Sequence, residues 1–385
     1  MASPGAREQK KLYLSSNELA PENTLLSEQI AKSVVRNCLH IGDGDMVLIT
    51  TWQHTIDLAS SIALECHKVG AKAFMNLNTD TVFYGSMLKE PLESLKKPNK
   101  MAMGLWNSVT ASIDISGPED PLKMRKVPPE RWAALAQGEK PFTDKVLAHQ
   151  KRSAYLLLGY VTPQRAKTYG FNFKRWQTSM IAATAVSYPA LTKLARKVKT
   201  KLEKAKEAHI VSPKTKLSIQ LEQRAVYVYD GVVDKDDMKM GSYDAALPAG
   251  SVTVAPAETS ANGIVGFDLP IPQVGVLIQG LSWSFKNGKL TTFTATKNVK
   301  PTKDWWAKAR GNKDRIGSLS FGINPQARYG FLNNAIAQGA VSIGIGDNRF
   351  IGGKNNSDYG FEGTLSKATV KLDKKPFIRR GKFVL

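Results

Sequence analysis

Residues 46–78 constrain the fold more than any other stretch. MVLITTW (Met46–Trp52) is a short apolar, β-branched run that reads as a strand. Thr55–Val69 has helical spacing and stops at Gly70, a residue suited to the left-handed position just past a helix. AKAFMNLN (Ala71–Asn78) reads as the next strand. Strand, helix and strand in this order predict a β-α-β unit, whose crossover in a parallel sheet is right-handed. Its first turn, TTWQHT, has neither G-x-G-x-x-G nor a Walker pattern, so no dinucleotide or phosphate cradle is read there.

The alternation continues to about residue 208. Leu26, Ile30, Val34 and Cys38 fall at four-residue spacing and predict a helix over Leu25–Cys38. Thr81–Leu95 reads as helix, Lys100–Trp106 and Ala111–Gly117 as strands, a segment near Glu130–Gln137 as helix, and Ala154–Val161 as a buried strand. Thr162 and Pro163 mark a helix start. Phe173–Ala185 and the basic Pro189–Ala208 complete the helical set. From His209 the texture becomes strand and turn, with a hairpin signal at Lys286-Asn287-Gly288-Lys289, a short helix over Lys303–Arg310 and another over Ala327–Gln338. With 385 residues, two domains are expected. The reading is a leader over 1–24, an α/β domain over 25–208 with a doubly wound, mainly parallel sheet, and a β-rich α+β domain over 209–385, with the boundary in the 205–240 region.

Composition narrows the function classes. The hydrophobic fraction of 42% is ordinary for a globular chain, and no apolar run approaches the roughly 20 residues that span a bilayer. The first dozen residues lack the apolar core of a secretory signal. Cys38 and Cys66 fall in helical segments and read as reduced thiols, which points to the cytoplasm. The net charge of +21 suits a solvated lysine surface, a basic face for nucleic acid, or an acidic polypeptide partner. Its dense spots, Lys193–His209 and Lys374–Phe383, lack the glycine-bracketed aromatics that stack bases, so nucleic acid is the least favoured of the three.

Catalytic signatures are scarce. The histidines are His40, His54, His67, His149 and His209, and their spacing matches no H-E-x-x-H element. His54, in the first strand-to-helix turn, stands where catalytic groups often sit, but a solvated or capping role suits it better. No G-x-S-x-G or S-x-x-K element supports a nucleophilic serine. Neither His nor Cys occurs from Ile210 to Leu385. The aromatics of that half, among them Trp283, Trp305, Trp306, Tyr329 and Phe350, read mostly as core, with a minority able to line a groove for an extended peptide.

Four ordered segments carry a family resemblance. LPAGSVTVAPAETSANGIV, VTPQRAKTYGFNFKRW, RIGSLSFGINPQAR and GAVSIGIGDNRFIGGKNNSDYGFEG are similar to the segments of the thermophilic metallo-aminopeptidases of the AmpS/PepS leucyl aminopeptidase type. The resemblance implies the two-domain architecture above and a homodimer. It also implies two divalent metals held by two Glu, two His and one Asp. Those positions fall here on Ser251, Ser318, Ser342, Gly360 and Glu362. Serine is a poor neutral ligand, glycine has no side chain, and one carboxylate holds a hard cation weakly. The Asp of the family's GTDL turn falls on Lys216. Turn-forming residues match throughout, among them Asn262, Gly263, Asn324, Gly346, Asp347 and Asn348.

The expectation is therefore a metal-free pseudo-aminopeptidase without a cofactor. Its old cleft would take a peptide near Ser251, Ser318, Ser342, Asn348, Tyr359, Gly360 and Glu362. Lys216, Arg328, Arg349 and Lys354 would clamp the carboxylates of an acidic ligand. Presentation of a precursor in a ribosomal peptide natural-product pathway would use such a protein. The alternatives are an enzyme working through Glu362 with Tyr359 or Asp358, and nucleic-acid or regulatory binding through the Lys193–His209 helix.

Overall fold

The computed structural model describes residues 21–273 and 276–385. The expected leader lies outside the described residues up to residue 20, and a helix occupies Pro21–Lys32. The helix passes into a π-turn over Ser33–Cys38, and Ile30, Val34 and Cys38 are buried as the four-residue spacing requires.

The first sheet is parallel and five-stranded: β1 (Met46–Trp52), β2 (Lys72–Asn78), β3 (Ala111–Ile115), β4 (Arg152–Leu156) and β8 (Asp244–Leu247), in spatial order β2-β1-β3-β4-β8. One face carries Val47, Ile49, Ile113, Ile115, Ala154, Leu156 and Leu247 into a core shared with the helix Ile56–Lys68 and with Val34 and Val35. β8 lies beyond the expected division near 205–240: the chain leaves this body for β5 (Glu207–Ser212), β6 (Thr215–Gln220) and β7 (Val226–Tyr229), then returns to the parallel sheet.

The remaining strands build an antiparallel sandwich. One sheet runs β14-β13-β10-β6-β5-β18-β19-β20, where β10 is Asn262–Gly266, β13 Ser282–Lys286, β14 Lys289–Thr294, β18 Thr369–Leu372, β19 Lys375–Arg379 and β20 Lys382–Phe383. The other runs β17-β16-β15-β9-β7, where β9 is Ser251–Val254, β15 Ile316–Gly322, β16 Val341–Gly346 and β17 Gly360–Leu365. β11 (Ile271–Gln273) and β12 (Val276–Ile278) form a separate pair. Inner-face residues of both sheets share one core around Trp283, whose ring meets Phe267, Phe293 and Phe361 at 4.9, 5.8 and 6.0 Å. Edge-to-face pairs of this kind add to area burial.

Two sequence expectations are corrected. Lys100–Trp106 is not a strand but the body of a helix, Lys100–Ser108, because Asn99 caps it by accepting from the N–H groups of Met101 and Ala102. Ala327–Gln338 is not a helix, and only Asn334–Ile336 forms a single 3₁₀ turn. Side-chain bonds displace the helical ladder there: Asn324 Oδ1 accepts from the N–H groups of Gln326 and Ala327, and Asn334 Oδ1 from that of Gly330, which sits at φ 98°. The start at Thr162 forms as expected, with its hydroxyl accepting from Arg165 N–H and the helix ending at left-handed Gly170. Thr162→Ala should therefore destabilise the fold by about 1 kcal/mol, measured by urea denaturation; no change would mean that water replaces the cap.

Candidate functional site

Alternation along four strands of the second sandwich sheet sends apolar side chains inward and hydroxyls outward. On β9 the outward residues are Ser251 and Thr253, on β15 Ser318 and Ser320, on β16 Ser342, and on β17 Gly360, Glu362 and Thr364. The register aligns them in rows. Thr253, Ser320, Ser342 and Thr364 lie across four adjacent strands. Thr253 Oγ1 and Ser320 Oγ are 2.8 Å apart, as are Ser342 Oγ and Thr364 Oγ1. The next row is Ser318, Gly344 and Glu362, and Gly344 has no Cβ because one would stand 2.3 Å from Ser318 Oγ. Tyr227 and Tyr229 of β7, opposite Thr253 and Ser251, extend the same face.

Glu362 opens into a pocket of about 280 Å³ walled by Leu269, Ile271, Pro272, Leu332, Ala335 and Thr364. Among the described residues its carboxylate has no hydrogen-bond or ion-pair partner. Its side chain is exposed at the pocket mouth, and partial desolvation by the walls pushes its pKa up to about 7.

A network of short bonds holds the rim. Burial alone would raise Glu258, but the Arg224 guanidinium at 2.7 and 2.8 Å, Lys354 N–H at 2.7 Å and Asn348 Nδ2 at 3.2 Å outweigh it and hold the carboxyl at about 2. Asn348 also donates to Gly317 O and accepts from Asn355 N–H, while Asn355 Nδ2 donates to Ile316 O and Gly346 O. The loop 347–357 is thereby fixed across β15 and β16.

The expected cleft residues thus separate into groups. Ser251, Ser318, Ser342, Gly360 and Glu362, drawn from three distant segments, share one face of one sheet. Ser342 is fully buried beneath it, and Asn348 is buried in the rim network. Tyr359 falls on the opposite side: it is 2% exposed, packs on Trp305 at 5.1 Å in the sandwich core, and burial raises its hydroxyl far above the ordinary range. A Tyr359–Glu362 catalytic pair is therefore not assembled. Asp358 is bound to Arg310.

The carboxylate clamp is not assembled either. Lys216 lies on β6, on the solvent side of the other sheet, since its neighbours Thr215 and Leu217 point into the protein. Arg349 is paired with Asp347 at 2.6 Å. Arg328 Nη1 donates to the carbonyls of Pro325 and Ala327. Lys354 is exposed and joins the rim through its backbone. Sequence reasoning missed Thr253, Ser320 and Thr364, although their period-two spacing from Ser251, Ser318 and Glu362 was a legible signal.

The donor set does not fit a divalent metal pair. Among the described residues no group of three or more His, Cys, Asp or Glu gathers in one place. Ser342 and Thr364 spend their hydroxyls on each other, and Glu362 stands alone.

Comparisons with known proteins follow the same architecture. The chain is similar to the wild-type AmpT structure from Thermus thermophilus, with TM-score 0.75 and 18% identity over 94% of this chain and 99% of that one. It is also similar to 2,5-dihydroxypyridine dioxygenase from Pseudomonas putida KT2440, with TM-score 0.58 and 14% identity over 94% and 96% of the two chains. At such identities the likeness is one of fold. No curated protein matches the sequence. The sequence model described as thermophilic metalloprotease (M29) matches residues 24–325, and the chain belongs to that family.

Proposed function

We propose that this family member is a metal-free, peptidase-related protein that binds a peptide without hydrolysing it. One observation carries the reading: the five positions where the resemblance puts metal ligands lie on one sheet face, and four of them bear Ser or Gly. What this face offers a ligand is the half-buried hydroxyls of Ser251 and Ser318 beside one carboxylate, which suits main-chain amides and a ligand amine better than a cation pair. Steering of an acidic peptide, including a precursor in a ribosomal peptide pathway, would rest on the +21 net charge and not on a clamp in the pocket.

Elemental analysis of the purified protein should find no stoichiometric zinc, iron or manganese. Aminoacyl anilides should not turn over with or without added metal, while peptides with a free amine bind. One or two equivalents of metal, or metal-stimulated turnover, would sink the proposal. A second reading is favoured by the pKa of about 7 at Glu362, a value suited to proton transfer: metal-independent chemistry on the same ligands, which would show as turnover abolished in Glu362→Gln.

The same residue gives a pH prediction. A carboxyl raised in the folded state favours folding below its unfolded value near 4.5 and loses that contribution as pH rises through about 7. Glu362→Gln should therefore match the wild type at pH 4.5 and exceed its stability at pH 8. The gain should be about 1 kcal/mol after allowance for solvent access, read from urea melts at the two pH values. Equal stability at pH 8 would show that the carboxylate is hydrated.

A further inference from the structure

Parallel sheets are ordinarily covered on both faces, and here one face of the parallel sheet is left open toward its β4–β8 end. Its outward row across β1, β3, β4 and β8 is Thr50, Asp114, Tyr155 and Ala246, and the row beside it is Leu48, Ser112, Ser153 and Asp244. Tyr155 is 43% exposed, and Asp244 and Ala246 are exposed. The helices that could form a covering layer gather around a small cluster of their own, Tyr84, Met87, Leu95, Val127 and Ala134. They meet the sheet at its end, where Phe83 meets Trp52 at 5.4 Å, and along the β1–β2 side, where Leu105 lines a pocket with Leu48 and Phe74.

This face is also the wrong sign for the molecule. In a chain of net charge +21, no outward position on β1, β3, β4 or β8 carries Lys or Arg, and the outward lysine of the sheet, Lys72, stands at the start of the edge strand β2. Asp114 accepts from Ser116 Oγ at 2.6 Å, and among the described residues no cation pairs with it. Asp244 has no side-chain partner among the described residues. Burial raises both carboxyls, and burial first, with Asp244 second, raises Tyr155 and Tyr229. Two underneutralised carboxylates flanking an exposed tyrosine ring are chemically matched to a guanidinium or ammonium: the carboxylates accept its N–H groups and the ring face attracts its charge. At physiological salt the Debye length is about 8 Å, so charges farther than that from a docked cation are largely screened.

We propose that the open face of the parallel sheet, centred on Asp114, Tyr155 and Asp244, is a second binding site, and that it takes an arginine- or lysine-bearing segment of a polypeptide. The inference goes beyond the peptide pocket at Glu362 and does not rest on it. The probe is a fluorescent, N-acetylated tetrapeptide amide with two arginines, beside the same peptide with citrulline; acetylation removes the free amine that the Glu362 pocket would take.

Anisotropy at about 150 mM salt should show the arginine probe binding at least roughly tenfold tighter than the citrulline one. Asp244→Asn and Tyr155→Ala should each weaken it about fivefold or more, and Glu362→Gln should leave it unchanged. Asp244 is exposed, so its variant folds and decides the matter even if Tyr155→Ala melts early. Equal binding of the two probes, or indifference to Asp244→Asn, overturns the proposal. So does displacement by free spermine as effective as by the peptide, which would mean a small amine site. A change in sedimentation mass on Asp244→Asn also overturns it, since the face would then belong to a second copy.

Discussion

Glu258→Gln should lower the unfolding free energy by about 3 kcal/mol, more than any substitution on the hydroxyl face. The side chains of Glu258 and Arg224 are 11% and 14% exposed, and Glu258 also accepts from Lys354 N–H and Asn348 Nδ2. Glutamine keeps the shape but removes the charge, so Arg224 is left enclosed with the Pro256 carbonyl at 3.2 Å and the exposed Glu222 at 3.1 Å, and one of the oxygens that served the rim becomes an amide NH2 group. Removing one partner of an enclosed pair typically costs 3–5 kcal/mol; the remaining contact to Glu222 places this case at the low end. The pH sign is opposite to that of Glu362. A carboxyl held near 2 in the folded state, against 4.5 unfolded, contributes fully above about pH 4.5 and is lost as pH falls toward 2. The gap between wild type and variant should thus be full at pH 7 and closed near pH 2. Urea melts across that range measure it, and amide exchange over residues 347–357 should quicken in the variant at pH 7. A gap under about 1 kcal/mol at pH 7 would show that the rim is held by its asparagines alone.

How much of this could be read from sequence follows from which signals are local. The β1–β2 unit was legible because strand period, helix spacing and Gly70 all agree within one short stretch. The five site positions were legible only through resemblance, because residues 251, 318, 342 and 362 meet by strand pairing, which no local pattern encodes. Sidedness was partly open to reading: parity along DYGFEGTL puts Tyr359 and Glu362 on opposite faces, and the expectation of a catalytic pair ignored it. The cation clamp failed for a different reason. Lys216 entered through the matched GTDL turn and Arg349 through its place beside the matched Gly346-Asp347-Asn348, but one is on another sheet and the other is taken by Asp347, and such partners are tertiary facts. The Ala327–Gln338 error came from trusting propensity where Asn324 and Asn334 offered the backbone closer acceptors. The open face of the parallel sheet was hidden because β4 read as a buried strand, and only the structure shows which faces the helices leave bare.

Asn324→Ala should be at least as damaging, about 3–4 kcal/mol, because one side chain serves three segments of chain. Asn324 is fully buried; its Nδ2 donates to Ala183 O at 2.9 Å and Ala249 O at 2.7 Å, and its Oδ1 accepts from Gln326 and Ala327 N–H. Ala183 lies in the last turn of the helix Phe173–Thr184, and Ala249 stands two residues before Ser251. The amide therefore pins the start of β9, and with it one edge of the hydroxyl face, to the helical body. Gly250, at φ 134°, leaves room for this, since a Cβ there would stand 2.6 Å from Asn324 Cβ. Alanine would strand two buried carbonyls and two N–H groups, each worth about 1–3 kcal/mol, with water recovering part of the loss. Asn324→Asp separates packing from hydrogen bonding. It keeps the size and the acceptor but turns an oxygen toward the two carbonyls, so it should destabilise no less than alanine. If aspartate proves clearly milder than alanine in urea denaturation at pH 7, the volume of Asn324 and not its donor joins the segments. If the donor is what matters, both variants lose peptide binding at the Glu362 pocket together with stability, because the β9 end of the face is no longer held.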